Sequence, residues 1–325
     1  MNDSALASLI INSFNGNGLA DERKLIAVLS KFKDSKNNII LFQETHSTPN
    51  WENMWHKYWE GDIFFAHGTS NSGGVSIVFS SNLNIEIKYK YNDIDDRILL
   101  LDTIIDGEKL TILNVYAPTK NYQNNQLRLL DNIQDLLMPF LGGNIILAGD
   151  FNTYLNPLLD KQGGTTEDKS EFSKRLDGLL DEFDLVDIWR IRNPQLKRYS
   201  WRSHTRSGFV QSRLDYSFVS VCLQHVISAA SIKPGIRSDH SIVQIIYQLK
   251  GTSPRGKGFW KFNVSLLRDR DYINKLKEVL NVSKTNYKSM NNKGLKWDLI
   301  KCDLRGATLS YSSFKAKSQR KLERK

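Results

Sequence analysis

The apolar run of NIILAGDFNT, residues 144–153, ends in Asp150 and Asn152. Strand side chains alternate between faces, so these two are expected to point the same way while Phe151 turns into the core. Other apolar runs end alike. Glu44 follows NIILF in FQETH, Asn15 and Asn17 close INSFNGNG, and Asn114 and Tyr116 close LNVYAP. Asp215 lies in SRLDY, and Asp239 with His240 heads the last run in RSDHS. Each residue alone has an ordinary explanation as a solvated acid, a turn amide, a partner for Arg213 or a satisfied histidine. Together they match what phosphodiester hydrolysis needs: a divalent cation, a group that orients water, and donors to the developing charge. Mg²⁺ takes hard oxygen ligands and keeps waters, so Glu44 with Asn15 or Asn17 suffices to hold it. Asp150 is suited to holding the attacking water, with Asn152 positioning it. His240 is suited to donating to a phosphate oxygen, with Asp215 behind it fixing the tautomer.

Such residues need rigid elements behind them. The runs LIINSF, NIILFQE, GGVSIVFS, RILLLDTII, LTILNVYA, NIILAGD, RLDYSFVS and SIVQIIYQL have the length and β-branched or aromatic content of strands. Helical spacing separates some of them. DERKLIAVLSKF puts Leu25, Val28, Leu29 and Phe32 on one stripe, and NQLRLLDNIQDLLMPFL and EFSKRLDGLLDEFDL repeat the pattern. Neighbouring strands often lack an intervening helix, which predicts an α+β fold of two packed sheets with flanking helices.

The net charge of +10 is unevenly placed: residues 251–325 carry 19 Lys+Arg against 6 Asp+Glu, and the first 250 carry 26 against 29. The basic character therefore belongs to the C-terminal quarter, where it supports non-specific attraction to polyanions. GTSPRGKG, residues 251–258, reads as a linker. Beyond it Trp297, Ile300, Leu304, Ala307, Tyr311 and Phe314 form one apolar stripe on a basic helix. Two cysteines make neither a disulfide framework nor a metal cluster. No apolar run is long enough to span a bilayer, and the N-terminus lacks the order of a signal peptide. The expectation is an intracellular protein of cytoplasm and nucleus, with no membrane partner, monomeric.

In order, NGNG, QETH, NVYAP, GDFN, SRLDY and SDH resemble the endonuclease/exonuclease/phosphatase superfamily over roughly residues 6–249. That superfamily includes pancreatic deoxyribonuclease, apurinic endonucleases and the endonuclease domains of LINE-type retrotransposons. The resemblance implies a four-layered α/β sandwich, two packed mixed β-sheets flanked by helices, with a Mg²⁺ site at one edge where Mn²⁺ can substitute. It implies metal contact from Asn15, Glu44 and Asp239, and catalytic roles for Tyr116, Asp150, Asn152, Asp215 and His240. Asn17, Asn114, Ser200 and Ser212 are expected to contact substrate, the two serines at DNA-contacting positions of LINE-type domains.

Apurinic endonucleases usually carry aspartate where this chain has Asn17, and LINE-type domains more often asparagine. The segment GKGFWKFNVSLLRDRDY resembles the connection from a LINE endonuclease to its reverse transcriptase. The expected organisation is thus an endonuclease/exonuclease/phosphatase domain over residues 1–250 and a basic, helical connecting segment over 251–325. The expected activity is DNA nicking, with a reverse transcriptase domain as a partner outside this chain. The rivals are an apurinic or exonuclease III-like repair nuclease, a phosphatase acting on phosphoinositides or sphingolipids, and a catalytically silent nucleic-acid-binding fragment.

Overall fold

The computed structural model describes residues 8–33, 38–93, 95–164, 168–205, 208–249, 262, 264–288, 290 and 292–323. The chain divides into two compact units, Met1–Gly258 and Phe259–Lys325. The expected linker, residues 251–258, lies outside the described residues.

Two six-stranded sheets carry the first unit. In spatial order, one contains Ile227–Lys233, Ile242–Gln248, Ser8–Asn15, Asn38–Gln43, Val75–Phe79 and Ile63–Ala66. The other contains Leu185–Asp187, Asp215–Ser220, Ile145–Asp150, Glu108–Tyr116, Ile98–Ile105 and Ile85–Asn92. Each sheet has one parallel pair near its middle, Ser8–Asn15 with Asn38–Gln43 and Glu108–Tyr116 with Ile145–Asp150. Parallel neighbours need a crossover, and helices Glu22–Lys33 and Gln123–Leu137 supply it. The sheets are mixed, as expected.

Central strands face protein on both sides. Asn38–Gln43, Val75–Phe79 and Ile145–Asp150 are therefore buried throughout and read as continuous apolar runs. Between the sheets lies a core of Ile11, Ile39, Leu41, Ile77, Leu99, Leu101, Ile112, Ile146 and Ile245. Outside one sheet, Leu25, Val28, Leu29 and Phe32 pack with Phe14, Phe42 and Trp55. Outside the other, Leu129, Leu130, Ile133, Leu176 and Leu180 cover Leu113, Leu147 and Phe218. The result is helix, sheet, sheet, helix. Phe151 fills the last of these cores, its ring 5.1 Å from that of Phe218 and 6.0 Å from that of Tyr216. Burying such a ring contributes about 1.5–3 kcal/mol. A small third sheet, Trp201–Thr205 with Gly208–Ser212 and Lys161–Gln162, completes the first unit.

The second unit is a helical hairpin of Arg270–Asn286 and Lys293–Glu323. Its contacts are largely polar. Tyr272 Oη meets Thr308 Oγ1 at 2.8 Å, Ser283 Oγ donates to Asp303 at 2.6 Å, and Tyr311 Oη donates to Asp269 at 2.9 Å. The apolar stripe is used unevenly. Ile300 is buried and Leu304, Ala307 and Tyr311 are half-buried, but Trp297 is exposed. The Phe314 side chain lies outside the described residues. No helix among the described residues is long and apolar enough to cross a membrane.

Candidate active site

The carboxyl ends of the two parallel pairs meet at one edge of the sandwich. Asn15 ends one strand of the first pair and Glu44 follows the other, while Tyr116 and Asp150 end the two strands of the second. Asp215 sits opposite Asp150 in antiparallel register, so Tyr116, Asp150 and Asp215 form a row across the sheet. His240 reaches this edge from the residues just before strand Ile242–Gln248.

A continuous polar chain links them. Asp215 Oδ2 lies 2.9 Å from His240 Nδ1, and His240 Nε2 lies 3.8 Å from Asp150 Oδ2. That Asp150 oxygen accepts from Asn15 Nδ2 at 2.9 Å, and Asn15 Nδ2 also donates to Glu44 Oε2 at 3.1 Å. Asp150 Oδ1 accepts from the Asn152 backbone N–H at 2.9 Å. Burial alone would depress the His240 pKa, but Asp215 and Asp150 outweigh it and push the imidazole up to about 10. Burial, and then the Asp215 charge, raise Asp150 to about 7. Burial and the charges of Glu44 and Asp150 hold the Tyr116 phenol well above its ordinary value. The edge thus favours the protonated form of the imidazole and the phenol and raises the proton affinity of the Asp150 carboxylate.

Glycine in GDFN has a steric reason. Gly149 has φ +146°, and a Cβ there would stand 1.9 Å from the Val115 carbonyl oxygen on the neighbouring strand. Gly149→Ala must therefore part the strands that carry Tyr116 and Asp150. It is expected to lower stability by about 1–3 kcal/mol, in line with overpacking, and to be read as a shifted urea midpoint. Asn152 departs from simple alternation: the strand ends at Asp150, and Asn152 takes φ +47° in a turn. Its side chain donates to Ala117 O at 2.8 Å and lines the groove from there. Asn17 (φ 48°) and Glu44 (φ 51°) are also left-handed just beyond strand ends. A glutamate in this region costs of order 1–2 kcal/mol, and functional edges tend to store such strain.

Asn17, Glu44, Tyr116, Asp150, Asn152, Ser212, Asp239 and His240 all line one groove of about 540 Å³. Two expected substrate contacts do not reach it. Asn114 is fully buried between the sheets, donating to Phe42 O and Ser76 O and accepting from Gln43. Ser200 is fully buried, its Oγ accepting from the backbone N–H groups of Leu214 and Asp215. Both are corrected to structural roles, since neither can meet a substrate from the interior. Asn15 also differs from the expected ligand: its Oδ1 accepts from Asn17 N–H while its NH₂ holds Glu44 and Asp150.

Other residues at this edge carry no motif of their own. Trp201 Nε1 donates to Asp239 Oδ2 at 2.8 Å, and Arg97 lies over the Tyr116 ring at 5.1 Å. Lys120, Tyr154 and Lys161 also line the groove, with Lys161 Nζ 5.3 Å from the Tyr154 ring. Trp201 opens strand Trp201–Thr205 beside the buried Ser200, and that adjacency is the signal the sequence holds for it.

Asp150, Asp215 and His240 bring ligand atoms within 4.8 Å of one another, close enough to share a metal ion. Glu44 and Asp239 place two further carboxylates on the lining of the same groove, and hard oxygens of this kind suit Mg²⁺.

The family model described as the Endonuclease/Exonuclease/phosphatase family matches residues 11–240. The chain belongs to this family. An AP endonuclease, LMAP, from Leishmania major has the same fold, with a TM-score of 0.64 and 16% identity over 77% of this chain and 91% of that one. An AP endonuclease from Archaeoglobus fulgidus has a TM-score of 0.58 and 19% identity, covering 74% of this chain and 100% of that one. A relative from Xenopus laevis, the Transposon TX1 uncharacterized 149 kDa protein, is 30% identical over 273 residues. The match takes in 83% of this chain but only 20% of that relative. The family match runs from Ile11 to His240 and so takes in every motif at the groove.

Proposed function

We propose that the chain is a Mg²⁺-dependent endonuclease that nicks DNA, of the kind carried by LINE-type retroelements. The observation that carries this reading is the polar chain Asp215–His240–Asp150–Asn15–Glu44 along one groove. It combines a cationic donor, an acceptor for a water proton and hard oxygens within one site. Asp150 orients water for attack on phosphorus and takes its proton, with Asn152 fixing the carboxylate. His240, held by Asp215, and Tyr116 donate hydrogen bonds to phosphate oxygens as charge builds. As the water oxygen bonds to phosphorus, the P–O bond to the sugar breaks and the sugar oxygen takes a proton from solvent. Glu44 and Asp239 would hold the divalent ion, which supplies charge neutralisation for the phosphate and leaving oxygen.

The transposon relative supports the retroelement assignment, and Asn17 in place of a third carboxylate weighs against efficient abasic-site repair. Purified protein with supercoiled plasmid and Mg²⁺ tests the reading. Relaxed circles that disappear with chelator are expected, and an intact plasmid at every Mg²⁺ concentration would reject it. An abasic oligonucleotide run in parallel separates the repair rival.

Residues 251–325 are proposed as a basic connecting segment toward a reverse transcriptase domain. Deleting them is expected to weaken DNA binding broadly and to flatten the dependence of affinity on salt, because fewer counterions are released. Cleavage at low salt and saturating DNA should change little, since the groove residues all precede Gly251. Equal salt slopes for full-length and shortened protein would instead leave the segment a docking role.

A further inference from the structure

Lys24 takes no part in water attack or phosphate contact, yet it is fastened to the turn that holds the proposed ligands. It lies in the first turn of helix Glu22–Lys33, where its backbone N–H donates to Asp21 Oδ1 at 2.7 Å. That cap fixes where the side chain starts. The half-buried side chain runs back from the helix, and its Nζ donates to the Asn17 backbone oxygen at 2.6 Å. Asn17 is gripped on two further sides, by Asn15 Oδ1 at its N–H and by Asp239 Oδ1 at its side-chain NH₂. Asn15 in turn holds Glu44. One ammonium is therefore fastened to the short turn that ties Glu44 to Asp239. Asp239, Glu44 and Asp21 are its attractive electrostatic neighbours, and Arg237 opposes them.

Asn17 is neutral, so the wall presents two carboxylates, and the Lys24 ammonium cancels about half of their charge. We propose that Lys24 is a built-in counter-cation of Glu44 and Asp239, which keeps their affinity for a divalent ion low. The proposal rests on the assignment of these two residues as ligands. A weak site of this kind fills when a phosphate adds its own negative charge, which couples ion uptake to arrival of the nucleic acid. Removing this positive charge should strengthen ion binding roughly tenfold, by Coulomb's law at an effective dielectric constant between protein surface and water.

The test is direct Mn²⁺ binding by the full chain, read from the electron paramagnetic resonance of free Mn²⁺ without nucleic acid. Lys24→Met is expected to bind roughly tenfold more tightly than the parent, and Lys24→Arg, which keeps the charge, to match the parent. Equal or weaker binding by Lys24→Met with an unchanged circular dichroism spectrum would overturn the proposal. If Lys24→Met misfolds, Lys24→Gln takes its place with the same expectation, since its amide can still donate toward Asn17. Glu44→Gln separates the two layers of the argument. Should it leave Mn²⁺ binding intact, the ligand assignment fails and the Lys24 role with it. Should it abolish binding while Lys24→Met changes nothing, only the Lys24 role fails.

Discussion

Asp150→Ala is expected to lower plasmid nicking by on the order of 10²-fold or more while leaving fold and DNA affinity nearly intact. The side chain is buried, accepts from Asn15 and Asn152, and lies 3.8 Å from His240, so its loss removes the proposed water acceptor from the centre of the polar chain. Asn15 keeps its bond to Glu44, which limits the damage to the neighbouring wall. A variant that nicks within a few-fold of the parent would remove Asp150 from the mechanism. The parent's own pH profile gives a second check. Asp150 must be ionised to accept a proton, and burial with the Asp215 charge raises it to about 7. Activity should therefore fall as pH drops through about 7. In Asp215→Asn the neighbouring negative charge is gone, so the Asp150 pKa falls and the acid limb moves to lower pH. A limb that stays in place would exclude Asp150 as the titrating group.

The largest loss of stability is expected from Arg213→Met. Arg213 is almost wholly buried two residues before Asp215, and it binds Asp160 through Nε at 2.8 Å and Nη2 at 3.1 Å. Its Nη1 lies 2.6 Å from Asp187 Oδ2, close enough for an ion pair though not aligned as a hydrogen bond. The guanidinium packs 4.4 Å from the Tyr216 ring and 5.1 Å from that of Trp189. Arg190 also reaches Asp160, at 2.5 Å, so the acid keeps one partner when Arg213 is removed. Leaving the rest of a buried ion pair uncompensated typically costs about 3–5 kcal/mol. Urea unfolding of the variant should show that drop, and a change below about 1 kcal/mol would mean that water or Arg190 takes over the charge.

Much of this architecture is legible in the chain itself. The stripe Leu25, Val28, Leu29 and Phe32 is the buried face of a helix because its spacing follows the helical period and nothing competes with it. The runs ending in Glu44, Tyr116 and Asp150 are strands whose ends form the edge of the sandwich, since a chain buried on both faces must be apolar until it emerges. The exposed edge strand Ile85–Asn92 and the strand Ile227–Lys233 escape such a reading, because their partial exposure dilutes the apolar signal.

Within the site, residue types and order name Asp150, Asp215 and His240 as partners, but only the tertiary structure decides who touches whom. Asn15 and Asp150 are 135 residues apart and lie on different sheets, and packing the two sheets face to face brings them to 2.9 Å. Depth is equally hidden. Asn114 and Tyr116 share a strand face by the period of two, yet Asn114 is sealed between the sheets while Tyr116 opens onto the groove. Periodicity gives the direction of a side chain, and the distance to solvent along that direction depends on what packs above it. The sequence by itself determined the elements and the chemical inventory, because these follow from local spacing and residue type. The tertiary structure alone determined that Asn15 holds two acids together, that Ser200 caps a backbone, and that the Lys24 ammonium is fastened to the Asn17 carbonyl. Each of those is a contact between segments whose approach no local pattern encodes.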